Sequence, residues 1–382
     1  MMGSVDQKPT ILFVALQTGA GANGGIASMG EIIRALDRYR PVVLTNLENG
    51  VAPLRAAGIE VHVVPERASL GIRRAPLAVA LTYARYFAAV RRLLRCTGAK
   101  IVHANDPLAF QLSLAATKLE QGVRLAFSMR DTLDPERRVP RRRFSWLFGA
   151  ADHSFFLSHD MRRRWVDLIP EAGLRSSVTY SIVDFARFHP LPLPATGPKV
   201  VLVIGVVGPK KGQLRLLQKV VPRLAAAGVE TWLTGDFNPD LSDYAAACRE
   251  VAEPLGEKVK FLGYRWDMPE LIAQSHAVCI GSQHEGLMRG MIEAVSMGRP
   301  VVSTAVASAS EILEEEGRRA GFVFPISVEA DMAEPLLRLC GDEALNRELG
   351  ANGVEIARER FDRVRVVEAY QHVYDRLVDQ SV

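Results

Sequence analysis

The hydrophobic positions of the chain form short runs rich in β-branched residues, and longer amphipathic stretches separate these runs. The clearest runs are residues 11–16, 41–45, 61–65, 100–104 and 154–158, followed by 199–207, 230–235, 258–263, 276–281 and 300–304. Alternation of short apolar runs with helical patterns is typical of βαβ units, in which parallel strands are buried on both faces. The pattern therefore predicts an α/β fold, and it ends in an amphipathic helix from about Arg363 to Leu377.

A proline-rich segment divides this pattern into two. Residues 189–198 contain four prolines, and proline is excluded from helix interiors and from central strands. The 382 residues are also about twice a typical domain. We therefore predict two doubly wound, Rossmann-like domains at 1–188 and 199–362, the linker 189–198, and a C-terminal helical segment at 363–382.

The net charge of +4 conceals a difference between the two halves. Residues 1–185 contain 25 Lys/Arg and 16 Asp/Glu (+9), whereas residues 186–382 contain 22 and 27 (−5). A basic half would suit nucleic acid, an anionic membrane surface or a phosphate-bearing substrate. No recognised nucleic-acid-reading module accompanies the charges, which disfavours the first of these.

Two basic stretches in the first half flank apolar and aromatic residues. One runs from Arg73 to Arg95, and the other from Arg137 to Arg143, just before Trp146. Such stretches suit peripheral contact with an anionic membrane. The alternative is an ordinary core-facing helix with a solvated charged edge.

Neither a membrane span nor a secretory signal is visible, because no run of eighteen apolar residues occurs and the first residues lack basic and apolar regions. We expect a cytoplasmic protein, with peripheral contact at the inner face of the membrane as an addition. The four cysteines lack CxxC spacing, so we interpret all four as packing residues. The chain has no Asp-x-Asp motif, and we expect no metal site.

A glycine-rich string, GxGxxG, occupies residues 19–24 after the first predicted strand. Glycines there would let backbone N–H groups approach a phosphate at the start of a helix. The string is also compatible with a turn that needs positive φ. An NAD-dependent oxidoreductase is the alternative function that rests on this string alone.

The strongest cluster of polar residues follows the run 276–281. A loop presents Glu285, and a helix begins near Met288 with Glu293 in its second turn. Backbone amides at the start of a helix, together with the helix dipole, favour a diphosphate. The alternative makes Glu285 a helix-capping carboxylate and Glu293 a solvated residue.

Residues 263–304 resemble the donor-site core of family-four retaining glycosyltransferases, in which two glutamates are separated by seven residues. Segments 181–190, 205–212 and 359–378 fit the same family. The resemblance implies the GT-B fold, with two Rossmann-like domains facing each other across a cleft. It also implies that the C-terminal helix crosses back to the N-terminal domain.

The resemblance implies roles for individual residues. Glu285 would contact the donor sugar as a catalytic residue, Glu293 would bind the nucleotide ribose, and Lys211 would hold the diphosphate, with Lys210 as a competitor for that role. The acceptor-side glycine turn Gly24–Gly25 would close over the phosphates. The other residues assigned to the donor are Arg265, beside Tyr264 at the base, and Gly286, Leu287, Met288 and Arg289.

Three positions depart from the family pattern. Val206 stands where an arginine is usual, so one cation near the leaving group is missing. Asn105 replaces a histidine near the reacting sugar, and we retain it as a candidate catalytic residue. The neighbouring His103 is alternatively only the buried end of a strand. The third departure is His276, which stands where an acidic residue is often found and is interpreted as structural.

The resulting expectation is a retaining hexosyltransferase without a cofactor or metal. Its donor would be a nucleoside-diphosphate sugar, with UDP favoured over GDP, and its acceptor a glycan or lipid-linked molecule in cell-surface polysaccharide or glycolipid biosynthesis. One alternative is a nucleotide-sugar epimerase on the same fold. Another, motivated by Val206 and Asn105, is a catalytically weakened GT-B protein that only binds its ligand.

Overall fold

The computed structural model describes residues 8–16, 24–46, 51–64, 76–130, 139–237, 241–315 and 317–380. The chain divides into two compact units. Unit 1 comprises Met1–Ile182 with Arg363–Val382, and unit 2 comprises Val183–Asp362. The C-terminal helix therefore belongs to the N-terminal unit, as predicted.

Unit 1 contains a seven-stranded parallel sheet in the order β3-β2-β1-β4-β5-β6-β7. The strands are β1 (Thr10–Ala15), β2 (Arg40–Thr45), β3 (Glu60–Val63), β4 (Ile101–Ala104), β5 (Arg124–Met129), β6 (His153–Phe156) and β7 (Ser176–Val178). The helices are α1 (Gly24–Ala35), α2 (Ala52–Ala56), α3 (Pro76–Thr97), α4 (Pro107–Lys118), α5 (Arg141–Ala150), α6 (His159–Leu168) and the C-terminal α15 (Arg363–Asp379).

Unit 2 contains a six-stranded parallel sheet in the order β10-β9-β8-β11-β12-β15 and a short antiparallel pair, β13-β14. The strands are β8 (Val200–Ile204), β9 (Glu230–Thr234), β10 (Val259–Gly263), β11 (Ala277–Ile280), β12 (Val301–Thr304), β13 (Glu314–Glu315), β14 (Arg318–Arg319) and β15 (Gly321–Phe324). The helices are α7 (Gln213–Lys219), α8 (Val221–Ala226), α9 (Ser242–Ala252), α10 (Met268–Gln274), α11 (Arg289–Ser296), α12 (Ala309–Leu313), α13 (Ala333–Gly341) and α14 (Glu343–Phe361). Among the described helices of the whole chain, none combines the length and the apolar character needed to cross a membrane.

Both main sheets share one strand order, in which the chain starts near the centre and later reverses direction. The reversal lies between β1 and β4 in unit 1 and between β8 and β11 in unit 2. This is the doubly wound Rossmann-like order, whose ligands bind beyond the carboxyl ends of the strands at the reversal. The ten predicted strands are confirmed, but β5, β7 and β15 were missed, because they are interrupted by polar residues or begin with glycine.

Helix α15 completes the core of unit 1. Its apolar face, including Tyr370 and Tyr374, packs with residues of β1, α1 and β6 in one buried cluster. The His103 ring lies between the rings of Phe13 and Phe155, with centroids 5.4 and 5.0 Å away. Its nitrogens contact the Tyr374 hydroxyl at 2.8 Å and Ser128 Oγ at 2.9 Å. Burial lowers the pKa of His103 to about 3, so this histidine is a neutral core residue.

The boundary between the units lies earlier than predicted. The prediction ended the first domain at residue 188, whereas unit 1 ends at Ile182. The buried Arg299 side chain donates to the carbonyls of Leu191 and Pro192, each at 2.7 Å, and Val183 N donates to Phe361 O at 3.1 Å. Because the carbonyls of the proline-rich segment are bonded to unit 2, the segment is part of that unit.

Three of the four cysteines are packing residues, as predicted. Cys248, Cys279 and Cys340 are buried, and burial raises the pKa of Cys279 and Cys340 to about 12. Cys96 is exposed, which contradicts the prediction. It lies on an outward face near the end of α3, and the sequence pattern did not distinguish this face from the buried one.

Candidate active site

Two loops that follow the neighbouring strands β8 and β11 meet at the carboxyl edge of the unit 2 sheet. The first contains Lys211 and the second contains Glu285. Lys211 Nζ lies 2.8 Å from Glu285 Oε1, and the two side chains are only 25% and 13% exposed. The structure therefore joins the two predicted residues in one ion pair, at the point where the strand order reverses.

The turn after β8 directs the Lys211 side chain toward Glu285. Gly205 has φ of 140°, and a Cβ there would lie 3.3 Å from both Cδ and Cε of Lys211. The buried Gln213 side chain donates to the carbonyls of Gly205 and Val206 at 3.2 and 3.1 Å. A glycine is therefore required at position 205, both for the backbone conformation and for the path of the lysine stem.

The structure distinguishes Lys211 from its competitor Lys210. The Lys210 side chain is exposed, and its carbonyl accepts a hydrogen bond from Gln283 N at 2.8 Å. Lys210 thus contributes its backbone to the contact between the two loops. Lys211 contributes the ammonium group that contacts Glu285.

The loop that presents Glu285 is held from both sides. The Thr304 hydroxyl donates to Ser282 O at 2.6 Å, and Arg215 Nη2 donates to Gly281 O at 3.0 Å. Gly212 has φ of 73°, and a Cβ there would lie 2.0 Å from Gly281 O. The close approach of the two loops therefore depends on a second glycine. Arg215, Gln213 and Thr304 were missed, because their contacts are to backbone atoms, which residue types do not reveal.

Helix α11 begins directly after this loop and contains the second predicted carboxylate. Its N-cap is Met288, without a side-chain cap, so the interpretation of Glu285 as the capping residue is wrong. Glu293 is buried and accepts a hydrogen bond from Arg289 Nε at 3.3 Å, so it is not a solvated residue either. Burial raises the pKa of Glu293, and the Arg289 charge opposes this effect. Gly286 and Leu287 lie between Glu285 and the N-cap residue of this helix.

A group of exposed aromatic residues follows β10. The Tyr264 ring packs edge-on against the Trp266 ring at 4.7 Å, and Trp266 is 78% exposed. Between them, Arg265 pairs with Asp267 through both Nε and Nη2. Trp266 was missed, although an exposed tryptophan beside the predicted base contacts is a usable signal.

In unit 1, the candidate Asn105 follows β4 and is buried. Its Oδ1 accepts a hydrogen bond at 2.7 Å from Nε of Arg130, which follows the adjacent strand β5. The next residue, Asp106, caps α4 by accepting from Leu108 N and Ala109 N at 2.8 Å. Arg130 was missed because β5 was missed.

The remaining candidates are divided between the units. Gly24 and Gly25 begin α1 in unit 1, while Gly19 to Asn23, Arg73, Arg74, Arg137 and Arg138 lie outside the described residues. Val206, in unit 2, is 51% exposed beside the turn that directs Lys211. His276 is buried, with its Nδ1 3.3 Å from Val200 N, as expected for a structural residue.

Two families match the chain. The family described as Glycosyl transferase 4-like domain matches residues 21–174, and Glycosyl transferases group 1 matches residues 198–342. These ranges fall in unit 1 and unit 2, respectively. The residues of the Lys211–Glu285 pair therefore belong to the second match.

Similar curated proteins include the lipopolysaccharide core biosynthesis glycosyltransferase LpsD of Rhizobium meliloti, 25% identical over 202 residues. That alignment covers 51% of this chain and 57% of the relative. The MMP alpha-(1->4)-mannosyltransferase of Mycolicibacterium hassiacum is 24% identical over 295 residues, covering 73% of this chain and 71% of the relative. The chain thus spans little more than half of the first relative.

Solved structures are similar to this chain in fold over nearly its whole length. Anabaena HepE in complex with UDP and glucose has a TM-score of 0.78 at 21% identity, covering 95% of this chain and 99% of that one. Sucrose-phosphate synthase of Thermosynechococcus elongatus has a TM-score of 0.79 at 18% identity, covering 97% and 100%. Residues 21–174 therefore belong to the glycosyl transferase 4-like domain and residues 198–342 to the glycosyl transferases group 1, and the two together have the GT-B fold.

Proposed function

We propose that this chain transfers a hexose-type sugar from a nucleoside diphosphate to a glycan or lipid-linked acceptor, with retention of anomeric configuration. The observation that supports this most directly is the Lys211–Glu285 ion pair at the strand reversal of unit 2. Ligands of doubly wound sheets bind at that position. The lipopolysaccharide core role of the relative LpsD supports a glycan acceptor.

Departure of a nucleoside diphosphate places negative charge on the leaving group, and the enzyme must stabilise it more in the transition state than before. Lys211 supplies a point charge, and its ammonium group has three donors, so it can bind a phosphate oxygen while retaining Glu285. Backbone amides of residues 286–289 at the start of α11 add the positive end of a helix. Together these groups stabilise the leaving group without a metal ion.

The two glutamates have separate roles in this proposal. Glu285, held by Lys211, faces the donor sugar as positive charge develops there. Glu293 accepts hydrogen bonds from the ribose hydroxyls. Because burial disfavours the charged form of Glu293, ribose hydroxyl donors would favour that form and so gain binding energy from it.

We propose UDP as the nucleotide, in preference to GDP. The structurally similar HepE was solved with UDP. The exposed rings of Tyr264 and Trp266 offer a surface on which a base can stack.

A thermal-shift panel of UDP, GDP, ADP and their sugars tests the donor. Selective binding of UDP at 100 times its Kd should raise the free energy of unfolding by about 2.7 kcal/mol. Transfer to oligosaccharide or lipid-linked acceptors should then continue in EDTA. Loss of transfer in EDTA and recovery with magnesium or manganese would show that a metal is required.

The same assays separate the alternative functions. Isomerisation of the donor sugar without an acceptor would identify an epimerase. Selective nucleotide-sugar binding without any turnover would identify a binding protein. Absence of stabilisation by every nucleotide sugar would contradict both the donor site and the proposed reaction.

We further propose that unit 1 contacts an anionic membrane through α3 and α5. Leu77 and Trp146 are 72% and 55% exposed. Helices α3, α4 and α5 are linked through Gln111 on α4, which accepts hydrogen bonds from the Tyr83 hydroxyl and from Arg143 Nη2. Exposed apolar side chains beside the exposed Arg141 to Arg143 combine the two attractions that hold peripheral proteins on anionic lipid.

Liposome co-sedimentation tests this contact. Arg141→Ser/Arg142→Ser should reduce binding to anionic vesicles, and high salt should have the same effect by screening. The matched control is Arg163→Ser/Arg164→Ser, a pair on α6 that contacts Asp160. Equal sedimentation of the wild type and both variants would exclude the α5 arginines from membrane contact.

A further inference from the structure

Arg130 lies at the carboxyl end of β5, beside the residues that follow β4 in the unit 1 sheet. Its Nε donates to Asn105 Oδ1 at 2.7 Å, which holds the guanidinium group in one orientation. The side chain of Asn105 is a neutral amide, and the backbone N–H of the same residue donates to Val14 O at 2.9 Å. Asn105 therefore fixes the cation in place without neutralising it.

Arg130 forms no ion pair with a carboxylate within the described part of the chain. Its Nη2 is buried and has no hydrogen-bond partner there. Asp106 is close enough to act on Arg130 electrostatically, but its Oδ1 caps α4 and the two side chains form no ion pair. The other groups that act on it, Tyr370 and Tyr374, are buried tyrosines.

A partly buried guanidinium that forms no ion pair is costly, because its buried Nη2 has left water without gaining a hydrogen-bond partner. Burial accordingly lowers the pKa of Arg130. The Tyr370 hydroxyl is likewise buried without a partner among the described residues. An unsatisfied cationic donor at the ligand-binding edge of a doubly wound sheet is complementary to an anion, and Tyr370 is near enough to act electrostatically on Arg130.

We propose that Arg130, positioned by Asn105, binds an anionic group of the acceptor, either a carboxylate or a phosphate. The inference rests on the proposed glycosyl transfer and adds a property of the substrate, because it makes the acceptor a charged sugar or a phosphorylated molecule. Arg130 is then a specificity-determining residue, and Asn105 is a positioning residue.

Binding measurements on the full chain test this proposal independently of turnover. With UDP present at saturation, titration calorimetry compares methyl glucoside, methyl glucuronide and glucose 6-phosphate, which are neutral, carboxylated and phosphorylated. The wild type should bind at least one of the two anionic sugars about tenfold more tightly than the neutral one. Arg130→Gln should abolish the difference, and Arg130→Lys, which keeps the charge, should retain part of it.

Arg92→Gln, an exposed arginine on α3, is the matched control and should change neither preference nor UDP affinity. Absence of an anionic preference in the wild type would overturn the proposal, even if Arg130→Gln failed to fold. An unchanged preference in a folded Arg130→Gln would also overturn it. A tenfold loss of UDP affinity in that variant would reassign Arg130 to the donor diphosphate. If UDP does not bind the wild type at all, the proposed glycosyl transfer itself has failed.

Discussion

The cationic side chains at the carboxyl edges of the two sheets differ in the charge of their partners. In unit 2, Lys211 is paired with Glu285 at 2.8 Å and Arg289 with Glu293 at 3.3 Å. In unit 1, the partner of Arg130 is the uncharged side chain of Asn105. Among the described residues, these two cations of unit 2 are paired with carboxylates, whereas Arg130 of unit 1 forms no ion pair.

The difference shows that a shared strand order does not determine how the cationic side chains at this edge are paired. Both units place loops at the same reversal of the sheet, yet the charges in those loops follow separate local requirements. In unit 2, each carboxylate orients a cation. In unit 1, the Asn105 amide orients the Arg130 guanidinium, which forms no ion pair within the described ranges.

The largest expected effect is the loss of the balanced pair in unit 2. Lys211→Ala removes the proposed leaving-group cation and leaves the Glu285 carboxylate without its partner. Transfer should fall by about 10²- to 10³-fold, as for loss of one preorganised charge-stabilising donor. Initial rates with the donor found by thermal shift measure this effect.

Lys210→Ala is the matched control, because its exposed side chain lies one residue away. It should retain transfer within about threefold of the wild type, which is a free-energy difference of less than about 1 kcal/mol. Equal losses in the two variants would contradict the distinction that the structure draws between the lysines. Circular dichroism must show that both variants remain folded.

The two glutamates should respond differently to substitution. Glu293→Ala removes a contact to the ribose, so affinity for free UDP should fall by about 1–3 kcal/mol. Glu285→Gln removes charge beside the sugar as the transition state forms, so turnover should fall while UDP affinity stays nearly intact. Normal UDP binding by Glu293→Ala, or wild-type turnover by Glu285→Gln, would remove the corresponding assignment.

Acidification should destabilise unit 1 more than unit 2. Burial lowers the pKa of His103 to about 3 and that of His153 to about 4, and in unit 2 it lowers the pKa of His276 to about 4. Unfolded histidine titrates near pH 6.5, so below this pH the unfolded chain takes up protons first and the free energy of unfolding falls. At pH 5.5 each of these histidines lowers the free energy of unfolding by about 1.4 kcal/mol. In unit 2, the raised pKa of Glu293 acts in the opposite direction.

Hydrogen exchange at pH 7.5 and 5.5, corrected for intrinsic rates, measures the stability of each unit separately. Peptides of unit 1 should lose protection by about 1.4 kcal/mol more than those of unit 2. His103→Gln, which removes the buried imidazole, should reduce the pH dependence of unit 1. Equal pH dependence in both units would show that the buried histidines do not govern acid stability.

The smallest expected effect comes from adding a charge to unit 2. Val206 is exposed beside the turn that directs Lys211, so Val206→Arg can place a guanidinium near the proposed diphosphate. UDP affinity should increase by up to about tenfold, or about 1.4 kcal/mol. Val206→Gln, which is polar but neutral, should leave affinity unchanged, and equal affinities of the two variants would show that position 206 does not reach the diphosphate.

Much of the fold was predictable because the signals are local. Ten strands followed from apolar runs between turn residues, and the C-terminal helix followed from its periodicity. The strands β5, β7 and β15 were not predicted, because a buried strand tolerates polar residues and glycine, which weaken the hydrophobic pattern. The division of the chain was found to within six residues, since proline breaks regular structure wherever it occurs.

The candidate site was predictable only as separate residues. The sequence by itself determined that Glu285 precedes a helix, that Glu293 lies in its second turn and that a lysine follows β8. The tertiary structure alone decided that Lys211 rather than Lys210 meets Glu285, and that Asn105 orients Arg130. The physical reason is that these contacts join loops after adjacent strands, and strand order is set by the packing of the whole sheet rather than by neighbouring residues.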